Sequence, residues 1–427
     1  MSSAVAAPAV AGPPGPPGPR LPAPIQGFRF LLTEHRMLER YRRRYGDVFA
    51  VAVWPFTPLV VVSDPAEVRR IFTGDPAQLH AGEGNTVLGP LVGAHSVLLL
   101  DEAEHLRRRK VLLPAFHGER MRVYGEEMRE LAEAEVATWP VGVAFALLPA
   151  LQRITLRVIL RTVFGMRDGG ALEARLIRLL AQSQAMMLPA VQRDLGRLSP
   201  WGRFLRTRAS VDELIYAEIA RRRREGDQGG EDVLSLLLET DATDVELRDD
   251  LMTLLVAGHE TTATTMAWTL ERLVRHPALL ARARDDADYL DAAVKEAQRM
   301  RPVVTYAMRK LVAPMEVGGY AVPAGATLGT SITLMHRRAD LYPEPYAFRP
   351  ERFLDARPET YAWIPFGGGV RRCLGAAFAT YEMRAVLSTI LARRDLRAPD
   401  PRPEPWRRKM ITFVPARGAR VTAEARA

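Results

Sequence analysis

The chain has 427 residues, 48% hydrophobic and 26% charged, ordinary values for a soluble globular protein able to bury a large core. A single cysteine excludes any intramolecular disulfide and suits a reducing cytoplasm, and no run reaches the ~18 apolar residues that a transmembrane helix needs. The net charge of +9, mostly arginine, suits an anionic partner, but no zinc-finger spacing, RNP-like strand or basic tail accompanies it, which ranks nucleic acid last.

Residues 1–24 are rich in Ala, Pro and Gly and include Gly12-Pro-Pro-Gly-Pro-Pro-Gly-Pro19. Proline fixes φ and forbids regular helix, so an extended or disordered leader is expected. Lacking a basic start and a continuous apolar run, it is a poor signal peptide. A helix is expected over Gln26–Arg44, then strands at Val48–Val53 and Leu59–Val62 joined as a hairpin. Ser63-Asp64-Pro65 caps the short helix that follows. Residues 74–100 read as an irregular loop with five glycines and two prolines, a length that points to function. Glu102–Phe116 is a helix dense in base, and His105 and Arg109, four apart, share one of its faces. Amphipathic helices follow over Met121–Trp139, Leu148–Phe164, Leu172–Leu188 and Trp201–Arg224. Between the last two lies the apolar stretch Met186-Met187-Leu-Pro-Ala190; Met suits an adaptable pocket, although filling core gaps is its commoner use.

Thr243-Asp-Val-Glu246 is a capping box opening a helix of about 33 residues, on the order of 50 Å, stopped by Pro277. At its middle stands Ala257-Gly258-His259-Glu260-Thr261-Thr262. Glycine inside a helix costs about 1 kcal/mol relative to alanine, and a penalty at the centre of the longest helix points to function. An acid beside a hydroxyl is what proton delivery requires. The alternative is a helix crossing with Gly258 as the contact and threonine bonding back to its own helix. Further on, Glu296-Ala-Gln-Arg299 places acid and base on one helical face, where most such pairs are exposed and worth little. Short strands are expected between Glu316 and Thr333, a helix over Ala377–Arg393, and a strand over Lys409–Pro415.

The sole cysteine lies in Phe366-Gly-Gly-Gly369-Val370-Arg371-Arg372-Cys373-Leu374-Gly375. Consecutive glycines let the backbone turn tightly beside a flat partner. A thiol at the mouth of a helix sees the positive end of its dipole, which favours thiolate. Such a thiolate suits axial ligation of haem iron, with electron donation that favours O–O cleavage. A lone cysteine is otherwise commonly an inert small hydrophobe. A phosphate-cradling loop fails on spacing, since neither G-x-G-x-x-G nor G-x-x-x-x-G-K-[ST] can be laid over these residues.

The stretch resembles the haem-binding signature of the cytochromes P450, F-x-x-G-x-R-x-C-x-G, at Phe366, Gly369, Arg371, Cys373 and Gly375. A match at all fixed positions is expected by chance on the order of once in a thousand chains or rarer. The resemblance spans about Pro19 to Arg420 and implies a mainly α fold with small β-sheets, one catalytic domain over 25–427, and haem b with an axial Cys373 thiolate. It implies that His105, Arg109, Arg309 and Arg371 hold the propionates, with Phe366 packing at the haem. Ala257 and Gly258 would line the oxygen pocket, Gly258 making room for dioxygen, while Glu260 and Thr261 deliver protons. The acid–base motif would be a buried lock, Glu296, Arg299 and Arg352 of Phe348-Arg-Pro-Glu-Arg352-Phe353 serving folding and haem retention. The 74–100 loop, Met187, Val304, Tyr306 and Ile411 would face substrate.

The implied activity is insertion of one oxygen atom from O2 into an apolar small molecule of fatty acid, terpenoid, steroid or polyketide class. Electrons would arrive from a separate ferredoxin and ferredoxin reductase, or a flavodoxin, since no stretch is left over for a fused reductase. An acidic ferredoxin would dock on a basic face near Arg107–Lys110 and Arg372. No membrane anchor of the microsomal kind is expected, and the setting is cytoplasmic. Two rivals are an enzyme of the same fold that uses peroxide or rearranges its substrate, and a haem-thiolate sensor without turnover.

Overall fold

The computed structural model describes residues 14–53, 58–116, 120–167, 169–183, 192, 195–226, 230, 232–354 and 358–426. Met187, with the rest of the 186–190 stretch, lies outside the described residues.

The chain is not disordered throughout 1–24. From Pro14 it runs as an extended strap, with the Pro14 carbonyl accepting from the Ala321 N–H and the Pro17 carbonyl from the Ala50 N–H. Proline has no N–H to donate, but its carbonyls remain free for a strand edge. The strap passes into α1 (Ala23–Tyr45), in which Thr33 leaves helical geometry. A sheet is then begun by β1 (Val48–Val51) and β2 (Leu59–Val62), antiparallel with Val48 opposite Val62. Every residue of β2 is buried, which explains its unbroken apolar run. Asp64 caps α2 (Pro65–Thr73) by accepting from the Glu67 N–H.

The stretch 74–100 is more ordered than its composition suggests, carrying β3 (Leu79–His80), α3 (Ala81–Gly84) and α4 (Gly89–Val92). The basic helix α5 (Glu102–Leu112) tightens into a 3₁₀ turn over Leu113–Phe116. Next come α6 (Arg120–Ala137), β4 (Ala144–Ala146), α7 (Leu147–Phe164), α8 (Gly170–Ser183), α9 (Pro200–Glu225) and α10 (Val233–Leu238).

The central helix is α11 (Asp244–Leu273), opened by the expected box: Glu246 N–H donates to Thr243 Oγ1, and Thr243 N–H donates to the Glu246 carboxylate. Nearly all of its second half is buried, and it packs most extensively on α7. Pro277 begins α12 (Pro277–Asp285), and α13 (Ala287–Met300) carries Glu296 and Arg299. Strands β5 (Tyr306–Leu311), β6 (Met315–Val317), β7 (Tyr320–Val322) and β8 (Thr327–Ser331) lead into α14 (Ile332–Met335). The mixed sheet has the order β1-β2-β8-β5-β3, with β2 and β8 parallel and the other neighbours antiparallel.

Last come α15 (Ala376–Arg393), β9 (Arg394–Arg397), β10 (Trp406–Lys409), β11 (Thr412–Pro415) and β12 (Arg420–Ala425). The expected single strand over Lys409–Pro415 is instead part of a hairpin, β10 pairing β11 across a turn at Met410-Ile411. Met410 adopts φ 54°, which pattern reading does not anticipate for a non-glycine residue. The main apolar core joins α6, α7, α11, α13 and α15. No described helix is long and apolar enough to cross a membrane.

Candidate active site

The cysteine loop is shaped by contact with α2. Gly367 and Gly369 have φ of 67° and 63°, and a Cβ on Gly369 would lie 1.8 Å from the Phe72 carbonyl oxygen. Only glycine turns this way so close to another backbone. Cys373 N–H donates to the Phe366 carbonyl at 2.9 Å and closes the loop, three residues before α15 begins. The Phe366 ring meets Trp363 edge-on, centroids 6.1 Å apart. Cys373 is exposed, yet burial is the main influence on its thiol and pushes its pKa up. The Gly375 N–H, Arg109 and Arg372 pull the thiol back toward ionisation, but burial outweighs them. A metal cation bonded to sulfur deprotonates a thiol outright.

Beside the loop, four nitrogen donors converge from three elements. His105 is buried, and burial, then Arg371 and Arg109, lower its pKa to about 4, so it is neutral. Arg109, half-buried, makes no hydrogen bond or ion pair with a described residue and interacts electrostatically with Cys373. Arg371 donates to the carbonyls of Val97 and Leu100 and to Asp101 Oδ1. Arg309 reaches up from β5, stacked 5.8 Å over Phe72, and donates only to the Met308 carbonyl at 2.7 Å. Burial, opposed by Asp101, pulls Arg371 down to about 10. Burial and then Arg371 pull Arg309 down to about 10. One carboxylate does not balance this many buried cations, whereas a ligand with two carboxylates does.

On α11, Ala257 is exposed and Thr261 half-exposed within an otherwise buried stretch. Thr261 Oγ1 donates back to the Ala257 carbonyl at 2.6 Å. A Cβ on Gly258 would meet Ile159 Cδ1 at 2.7 Å, so the glycine also lets α7 pack close to this turn. That contact and the threonine bond are the features of a helix crossing, while Ala257 and Thr261 remain the more accessible side chains here. Glu260 Oε2 accepts from Lys409 Nζ at 2.7 Å and from Gln152 Nε2 at 2.9 Å. Its other oxygen is buried without a described partner. The acid is thus fixed between α7 and the β10 strand.

These residues fit a haem: a lone thiol for its iron, a glycine loop flat enough to lie against it, and cations for its propionates. The family model described as Cytochrome P450 matches residues 16–422. The chain belongs to the cytochrome P450 family. It is 42% identical over 427 residues to "Putative cytochrome P450 135B1" of Mycobacterium tuberculosis, covering 95% of this chain and 90% of that one. It is 38% identical over 444 residues to "Putative cytochrome P450 138" of Mycobacterium bovis, covering 100% and 99%. In fold it is similar to the solved "Retinoic acid bound cyanobacterial CYP120A1", with TM-score 0.86, 24% identity and coverage of 98% and 100%. Cytochromes P450 are haem-thiolate monooxygenases, so this cytochrome P450 is an enzyme that carries haem on a cysteine. Haem, when bound, supplies the iron centre at which O2 is activated.

The lock behind the site is buried as expected. Arg299 forks onto Glu296 at 2.7 and 2.8 Å, and both side chains are fully buried. Arg299 also donates to the carbonyls of His336, Pro345 and Ala347. Arg352 joins only as an ion pair, 3.5 Å from Glu296, while donating to the Glu344 carbonyl at 3.0 Å. His336 passes the lock on to the cysteine loop: the Ile364 N–H donates to its Nε2 at 2.9 Å. Burial lowers the His336 pKa to about 3, so the ring stays neutral.

Of the substrate-side residues, Val304 bridges to Thr412 and brings the segment after α13 against the hairpin that carries Ile411. Tyr306 is stacked on Phe30 of α1, centroids 5.9 Å apart, in the cluster beneath that helix. Its hydroxyl is buried without a described partner. The expected basic docking face loses two residues: Arg108 is fully buried against Asp250 of α11, and Arg109 is half-buried beside Cys373. Arg107 pairs with Glu246 at 3.2 Å, and Lys110 and Arg372 are exposed. Lys409, Gln152, Asp101 and His336 were not foreseen. Only Lys409, in the basic run Trp406-Arg-Arg-Lys409, and Asp101, at the helix-cap position before Glu102, left a trace in the sequence.

Proposed function

We propose that this cytochrome P450 hydroxylates an apolar small molecule of fatty acid, terpenoid, steroid or polyketide class, using haem b in a catalytic domain that begins near residue 25. The observation that carries the reading is the Glu260–Lys409–Gln152 arrangement beside Thr261. It keeps an acid oriented one residue from a hydroxyl, as delivery of protons to reduced O2 demands and peroxide-driven or rearranging chemistry does not. Ile411, Val304, Met187 and the 74–100 segment supply apolar contact, and the Tyr306 hydroxyl, without a partner among the described residues, offers one polar point of orientation. His105, Arg109, Arg309 and Arg371 hold the propionates. Electrons come from a separate acidic ferredoxin and its reductase, or a flavodoxin, in the cytoplasm, docking over Lys110, Arg372 and Arg107.

The test begins with the dithionite-reduced, carbon monoxide-bound spectrum of the wild type and Cys373→Ala, followed by turnover of an apolar panel with a surrogate ferredoxin. A red-shifted Soret band lost in the variant, and O2-dependent hydroxylated product, are expected. Product formed only with added peroxide would overturn the reading.

A further inference from the structure

The outer face of α1 is not explained by haem, substrate or redox partner. Its inner face carries Phe30, Met37, Leu38 and Tyr41 into the core. On the outside, Ile25 and Leu31 are each 46% exposed, Phe28 63% and Leu32 64%. Single exposed apolar side chains are ordinary on a protein surface, but a stripe at helical spacing is not. Among the described residues nothing covers it.

The charge on the same helix is one-sided. Arg29, Arg36, Arg40, Arg43 and Arg44 are exposed. Only Arg43 approaches a carboxylate, Glu39 at 4.0 Å. Both acids of α1 are turned inward: Glu34 is buried against Arg408 and accepts from Thr305 at 2.8 Å, and Glu39 pairs with Arg337. The outer surface therefore offers apolar side chains in its first half and, in its second, guanidinium groups of which Arg43 alone has a carboxylate partner among the described residues. Thr33 interrupts the helix between the two halves.

We propose that this face of α1 rests on a bilayer containing anionic phospholipid. Phe28, Leu32, Ile25 and Leu31 enter the boundary between headgroups and acyl chains, and the arginines bind lipid phosphates. Guanidinium groups match phosphate oxygens in geometry and charge, and a helix apolar on one side and cationic along its length is the form that lies in a membrane interface. The contact is peripheral, since no described helix spans a membrane.

The experiment is co-sedimentation of the full-length haem-loaded protein with vesicles of phosphatidylcholine alone or mixed with phosphatidylglycerol. At about 0.1 M salt, binding to the anionic vesicles is expected to be at least about tenfold tighter than to neutral ones and to weaken as salt is raised. Phe28→Asp with Leu32→Asp should lower anionic-vesicle binding by about tenfold or more, and Arg36→Glu with Arg40→Glu should abolish the preference for anionic lipid. The carbon monoxide spectrum of each variant, expected unchanged, separates loss of docking from loss of fold. Equal binding to both vesicle types, no binding to either, or binding untouched by these substitutions would overturn the proposal. So would binding that appears only after residues 2–13 are removed. Concentration-dependent dimerisation abolished by Phe28→Asp would assign the face to a second copy instead.

Discussion

Replacing Arg299 with methionine tests how much of the fold hangs on the lock behind the site. The guanidinium is fully buried and makes a two-pronged contact with Glu296, two carbonyl bonds at 2.8 Å and a weaker one at 3.4 Å. It also stacks 5.1 Å over Tyr342. Methionine fills much of the volume but leaves Glu296 with only the Arg349 N–H at 3.0 Å and Arg352 at 3.5 Å. Removing one partner of a buried pair costs about 3–5 kcal/mol, chiefly because the other charge stays buried. With a urea slope of about 3 kcal/mol per M, the midpoint should fall by about 1–1.7 M. Urea unfolding followed by tryptophan fluorescence reads this directly. Glu296→Leu combined with Arg299→Met should be less destabilised than the sum of the two single variants by at least about 1 kcal/mol, because the double variant buries no lone charge. A shift below about 0.3 M for Arg299→Met, with haem retained, would refute the reasoning by showing the cluster to be hydrated.

Other outcomes follow from the same geometry. Glu260→Gln should lower O2-driven turnover by about 100-fold while sparing peroxide-driven turnover, measured side by side on one substrate. Lys409→Met, which removes the cation orienting Glu260, should lower O2-driven turnover by about tenfold and raise peroxide release per NADPH, read with a peroxide electrode. Arg109→Leu should speed haem transfer to apomyoglobin by about tenfold, because a propionate loses a cation not already paired within the protein. His336 is neutral in the fold, its pKa lowered to about 3, whereas the unfolded imidazole protonates near 6.5. The unfolded state therefore takes up protons first as pH falls. Stability from this group is complete above pH 6.5 and declines below it by up to about 5 kcal/mol near pH 3. Urea midpoints from pH 7 to 4 should show this slope, and His336→Gln should flatten it.

Features fixed by neighbours in sequence were the ones legible in it. The capping box at Thr243 and the glycines of the cysteine loop each act within a few residues and appear as read, while α11 stops at Leu273, a little before Pro277, which opens α12. Glu296 and Arg299 were legible as a pair, but their burial was known only through the family resemblance. What escaped depends on contacts between distant segments. Gly258 packs against Ile159, about a hundred positions earlier, a contact that the helix penalty alone could not reveal. Arg108 looks in sequence like its exposed neighbours, and only the position of Asp250 on α11 makes it a core residue. The tail read as one strand because its turn uses Met410 in a left-handed conformation instead of glycine. From Pro14 the leader takes the extended form that its prolines allow, but that its carbonyls serve the edges at Ala50 and Ala321 is again a contact between distant segments.

The β10–β11 hairpin links two properties that an engineer would wish to tune separately. Ile411 stands in its turn, and Lys409, two residues away, grips Glu260. The hairpin is also tied to α11 through the Trp268 Nε1 bond to the Phe413 carbonyl at 3.1 Å. Under the proposed substrate role of Ile411, mutagenesis there to widen substrate range shifts the lysine as well. Libraries built at this turn will trade selectivity against the fraction of electrons that end in product, and screening for both at once is the way to escape that trade.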